Sequence, residues 1–257
     1  MATSASSPGR RSSPALWAGL LAAAAFAWVL LARQSPGMPA PMAGPWREPG
    51  QFLLLWVVMM AAMMLPSVAP VASMYLTVLR SRGKGTPAAH AAALVAGYLL
   101  AWAGFGVIAL GISWALGKLA PMNMSMAPSR PAVWSAAVTL AVAGLYQFTP
   151  LKARCLRHCR SPLGFLLHFG SYSGRLRDVR AGVYHGGYCA GCCWSLMVVL
   201  VAVGVMNMAW MAGLTAVVFL EKVWRSGQAF GYAAGGAMIL TGLLLPWLPP
   251  VQAALLG

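Results

Sequence analysis

Between positions 183 and 211 the chain reads VYHGGYCAGCCWSLMVVLVAVGVMNMAWM, which sets His185, Cys189, Cys192, Cys193, Met197, Met206, Met208 and Met211 in an otherwise apolar stretch. Imidazole, thiolate and thioether are borderline to soft ligands, suited to copper or zinc rather than to magnesium or calcium. On a helix the i, i+4 and i+7/i+8 spacing puts His185, Cys189, Cys192 and Cys193 on or near one face, and Met197 extends that stripe by another turn. The competing reading is that these cysteines are small apolar packing residues.

A second patch, Cys155, His158 and Cys159, lies in LKARCLRHCRSP, so that all 5 cysteines fall between positions 155 and 193. A fold-back of the intervening segment would let both patches complete one tetrahedral site. Arg154, Arg157 and Arg160 beside these thiols are expected to favour the thiolate that binds metal. The alternative for this patch is a basic helix lying against lipid headgroups. A disulfide is disfavoured, because the segment is expected to face a reducing cytoplasm.

Methionine supplies two further patterns. Met59, Met60, Met63 and Met64 form two i, i+4 pairs just before Pro66, where proline frees a backbone carbonyl. Thioethers carry no charge and still bind Cu(I), although a methionine stripe at this spacing is also ordinary core packing. Met206, Met208 and Met211 are expected at a depth where Met59 and Met60 meet them. Met122, Met124 and Met126, with Met38 and Met42, lie in two loops that resemble methionine-rich copper-capturing segments; flexible interfacial loops are the alternative.

The elements that must position these groups follow from composition. The 257 residues are 60% hydrophobic and 8% charged, against roughly 25% charged in a soluble domain, and the mean hydropathy is +0.72. Long apolar runs separated by short basic or Pro/Gly-rich connections predict an all-α, polytopic transmembrane helical bundle. Seven spans are predicted, at about 14–32, 52–79, 90–116, 132–148, 187–206, 208–222 and 231–248, with a cytoplasmic basic connection at 151–180. Residues 1–13 read as a disordered basic tail, and 14–257 as a single transmembrane domain. The first span reads as an uncleaved anchor, with a signal peptide as the alternative. Six spans result if 192–220 is continuous, but that arrangement moves Lys222 and Arg225 outside. The positive-inside bias therefore favours seven, a cytoplasmic N-terminus and a tight outer turn near Asn207.

The formal charge of +15 is accounted for by that bias and by anionic lipid, so no nucleic-acid partner is expected. Glu48, Asp178 and Glu221 are the only 3 acidic residues, which disfavours carboxylate-pair catalysis and hard-cation sites. Glu221 ends an apolar helix, where a carboxylate is either functional or paired with Lys222 or a basic residue across the bundle. No G-x-x-x-x-G-K-[ST] loop occurs, which disfavours nucleotide-driven transport.

The motifs WVVMMAAMMLPS, AGLYQFTPLKARCLRHCRSPLG and YHGGYCAGCCWSLMVVLVAVGVMNMAWM together resemble a bacterial family of predicted metal-binding integral membrane proteins, some of them described as copper chaperones. The resemblance runs from about Phe52 to Lys222 and implies a multi-pass inner-membrane protein whose cysteines, His158 and methionines are ligands. The expectation is a membrane copper chaperone, assembly factor or carrier that binds Cu(I), is not an enzyme, and hands the metal to a receiving protein. A structural zinc site in a scaffold or transporter of another substrate is the first alternative. A thiol oxidoreductase using Cys189 and Cys192 is the second.

Overall fold

The computed structural model describes residues 14–34, 49–81, 86–119, 130–161, 164, 174, 176–203, 208–249 and 252. Among them run eight helices and no strand: α1 (Pro14–Gln34), α2 (Pro49–Ser81), α3 (Pro87–Leu119), α4 (Arg130–Gln147), α5 (Pro150–Arg160), α6 (Arg177–Val203), α7 (Met208–Val223) and α8 (Gly227–Leu244). The all-α expectation holds. Stretches within α1, α2, α3 and α6 are long and apolar enough to cross a membrane, namely Pro14–Arg33, Pro49–Leu79, Ala88–Gly111 and Arg177–Leu200.

That is four helices rather than the seven spans expected. The other three predicted spans are helical, but α4, α7 and α8 have 18, 16 and 18 residues, against about 20 for a full crossing. A second difference lies in the basic connection. Residues 151–180 are not a plain loop, because α5 occupies most of the first part and α6 begins ten residues ahead of the predicted 187, at Arg177. The early start is possible because Asp178, on the first turn of α6, is buried with its charge satisfied: Tyr75 Oη donates to Oδ1 at 2.5 Å and His90 Nδ1 lies 2.7 Å from Oδ2. The described residues of α6 end at Val203 and those of α7 begin at Met208; Met206 and the expected turn at Asn207 lie outside the described residues, as do the tail 1–13 and the loop methionines 38, 42, 122, 124 and 126.

Proline and glycine explain how the long helices pack. Pro66 has no N–H to give to the Ala62 carbonyl one turn back. Helix α2 nonetheless continues through Pro66 and Pro70, and Trp28 of α1 supplies the missing donor, its Nε1 lying 3.1 Å from Ala62 O. Helices α3 and α6 approach almost backbone to backbone. A β-carbon on Gly182 would strike the Leu94 carbonyl, and one on Gly97 the Val179 carbonyl. Small residues at such crossings permit close van der Waals contact. Helix α8 docks on α4 in the same way, with Gly235 against Gln147 and Gly242 against the Ala137 carbonyl.

The short helix α5 is set by local chemistry. Thr149 caps it, its Oγ1 accepting from Lys152 N at 3.3 Å, and Pro150 occupies the first turn, where its missing N–H costs nothing. Lys152, Leu156 and Cys159 form its buried face, while Arg154 and Arg157 are exposed.

Candidate metal centre

Cys189, Cys192 and Cys193 project from one face of α6, and their sulfur atoms all lie within 4.8 Å of one another. All three are buried to 1% exposure or less. The thiols of Cys192 and Cys193 donate to the Cys189 carbonyl at 3.1 and 2.8 Å, which turns them to the same side as the Cys189 sulfur. A fourth thiol arrives from α5, where Cys159 Sγ lies 3.9 Å from Cys192 Sγ. Cys155, one turn earlier, is half-buried with its sulfur against Gly191. All five cysteines are free thiols. Cys159 of α5 and Cys192 of α6 are thus brought together from the two patches.

Two polar groups converge on the Cys189 sulfur: Lys222 Nζ donates to it at 2.9 Å, and Tyr98 Oη shares a hydrogen bond with it at 2.9 Å. Lys222 also reaches Ser67 Oγ at 3.2 Å, so α2, α6 and α7 meet at the cluster. Neither group was identified from sequence. The signal available there was a lysine directly after Glu221 at the end of an apolar helix. It does not pair with Glu221: the carboxylate binds Lys152 instead, at 2.8 and 2.7 Å, and Lys152 also donates to Gln147 Oε1.

His158 is stacked on Tyr188 with ring centroids 3.9 Å apart, and His185 lies 5.9 Å from the Tyr98 ring, one turn before Cys189. The expectation that arginines shift the α5 thiols toward thiolate is corrected. Arg157 Nε donates to its own helix at Ala153 O, and Arg160 Nη2 donates to Trp224 O and Arg225 O. Burial raises the Cys155 thiol above its ordinary value, and the neighbouring Cys192 sulfur adds to this. The Cys159 thiol is raised chiefly by its hydrogen bond with Cys192 and then by burial.

The methionines divide by depth. Met59, Met60, Met63, Met64, Met197 and Met211 are all buried and belong to the same contiguous core as Cys159, Cys189, Cys192 and Cys193. Met208 is half-buried against that core.

Fold and centre together define an α-helical protein with four helices long and apolar enough to cross a membrane and a buried cluster of thiols at the junction of α5 and α6. The chain belongs to the PpoB2 family, described as copper chaperone, whose model matches residues 53–245 and therefore spans every cysteine. No curated protein and no solved structure matches the chain.

Proposed function

We propose that the protein is a membrane-embedded copper chaperone which carries Cu(I) on the thiolates of Cys159, Cys189, Cys192 and Cys193. The observation that carries this reading is the approach of Cys159 to Cys192 from a separate helix, which turns three clustered thiols into a four-sulfur group drawn from α5 and α6. Soft thiolates select Cu(I) over hard cations, and the apolar surroundings keep water from competing for the metal. Lys222 offsets part of the negative charge that several thiolates bring into a low-dielectric site. As a carrier the protein needs no catalytic residue.

The outward faces support insertion in a bilayer, here read as the bacterial inner membrane. Phe26, Leu54, Leu100, Val107 and Ile108 are exposed, and so are Trp134, Val138, Val142 and Leu145 on α4 and Leu240 and Leu243 on α8. On this reading α4, α7 and α8 are spans as well, the 16 described residues of α7 alone rising about 24 Å. The positive-inside rule then puts α5 and the thiol group toward the cytoplasmic side, with the N-terminus cytoplasmic. The buried methionines act as packing that can also pass copper, and a copper-receiving protein completes the route.

The test is metal analysis of the detergent-purified protein from copper-supplemented cells. About one copper per chain, with sulfur-only coordination by X-ray absorption, is the expected result. Stoichiometric zinc whose chelation unfolds the protein would replace this reading by the structural-zinc one. Absence of either metal, with a reversible disulfide trapped by alkylation, would replace it by the oxidoreductase. Lys222→Met is expected to weaken copper binding by roughly 10- to 100-fold, the range for residues that support a ligand, with Lys222→Arg retaining most of the affinity. Competition with a Cu(I) chelator measures both.

A further inference from the structure

We propose that Cys155 is the thiol through which Cu(I) passes between the buried cluster and a small anionic copper–thiolate complex at the surface of α5. This rests on the copper-chaperone reading and adds to it a route and a chemical class of carrier. Among the five free cysteines, Cys155 alone is half-buried, the other four being buried. It stands one helical turn from Cys159, so its thiol is on the way from the surface to that buried sulfur. Its other neighbour is Gly191, directly before Cys192 in the chain, where a β-carbon would come within 2.9 Å of the Cys155 sulfur. Glycine at 191 thus opens the space that lets the Cys155 thiol lie against the helix carrying the cluster. Tyr146 Oη holds that point of α6 by donating to the Gly191 carbonyl at 2.5 Å.

The charge around Cys155 selects the carrier. Arg154 and Arg157 flank it and are exposed. The acidic residues among those described, Asp178 and Glu221, are both buried and paired elsewhere. The surface beside Cys155 is therefore cationic without a compensating carboxylate, which attracts anions and raises their rate of encounter. Partial burial of the thiol favours a small complex over a protein that must place its own ligands against it. In the exchange step a Cu–S(Cys155) bond forms as one Cu–S(carrier) bond breaks, and the Cys155 proton passes to the released carrier thiolate. Copper stays Cu(I) throughout, and repetition at Cys159 and Cys192 moves it inward.

The experiment follows copper loading of the detergent-purified full chain from two probes, the anionic Cu(I)–glutathione complex and the cationic Cu(I)–acetonitrile complex. Cys155→Ser is expected to slow loading from both by about tenfold or more, since a positioned intermediate ligand is lost, while final stoichiometry and affinity match the wild type. Arg154→Gln with Arg157→Gln is expected to slow loading from the glutathione complex alone, by roughly tenfold at low salt. Circular dichroism confirms that each variant is folded. Wild-type loading rates in Cys155→Ser, or loss of equilibrium copper in it, overturn the proposal while leaving copper binding by the wild type intact. Equal slowing of both probes by the arginine changes overturns the anionic carrier. A wild-type chain that takes copper from neither probe removes the chaperone reading, and this proposal with it.

Discussion

Lys152→Ala is expected to destabilise the protein by roughly 3–5 kcal/mol, the cost of leaving one member of a buried ion pair without its partner. The Lys152 and Glu221 side chains are 3% and 2% exposed, and Nζ lies 2.8 and 2.7 Å from the two carboxylate oxygens. The pair sits where α5, α7 and α8 pack together, with Gly231 directly against Glu221 Oε1. The neutral pair Lys152→Met with Glu221→Gln is expected to recover most of the loss, because the unpaired charge is what is expensive. Thermal unfolding in detergent measures all three proteins. A loss below about 1 kcal/mol for the single variant would mean that water reaches the pair, as it does for surface pairs. The same variant reports on function: Lys152 shares α5 with Cys159, so its loss is expected to lower copper affinity through displacement of that helix, and the neutral double variant is expected to restore it.

What the sequence discloses about this molecule is mostly local. Three- and four-residue spacings set Cys189, Cys192 and Cys193 on one helical face, because helix geometry alone decides that, and α6 carries them so. The convergence of Cys159 upon them was a geometric possibility that only tertiary packing decides. Long-range polar partners leave no periodic trace. Lys222 meets Cys189 across 33 positions and Lys152 meets Glu221 across 69, and nothing in composition distinguishes these lysines from those that anchor helices at a membrane surface. The same limit explains Asp178. Its proximity to Arg177 and Arg180 reads as a solvated basic connection, whereas Tyr75 and His90 from two other helices allow it to be buried at a helix start. Helix existence was legible from apolar runs, but length was not: among the described residues α4, α7 and α8 have 18 residues or fewer.

Cys192→Ser is expected to abolish stoichiometric copper, with affinity falling more than about 100-fold, beyond the range for residues that merely orient a ligand. Cys192 is the sulfur common to both halves of the group, 3.9 Å from Cys159 and within 4.8 Å of Cys189 and Cys193. Serine is close to cysteine in shape and keeps a donor for the Cys189 carbonyl, which Cys192 now reaches at 3.1 Å. The fold should therefore persist, with unfolding free energy within about 1.5 kcal/mol of the wild type, as for near-isosteric core changes. A hydroxyl is a hard and weak donor for Cu(I), so the chemistry is lost while the packing is kept. Met197→Leu is the paired measurement. Met197 is 1% exposed in the same core, one turn beyond Cys193, and leucine matches its volume while removing the thioether. If the methionine only fills space, copper affinity is unchanged; a drop of about tenfold or more would make its sulfur a ligand and extend the site along α6. Were Cys192→Ser to retain full copper, the thiol cluster would be packing rather than a metal centre, and the methionine-rich core of α2 would become the place to look for the cargo.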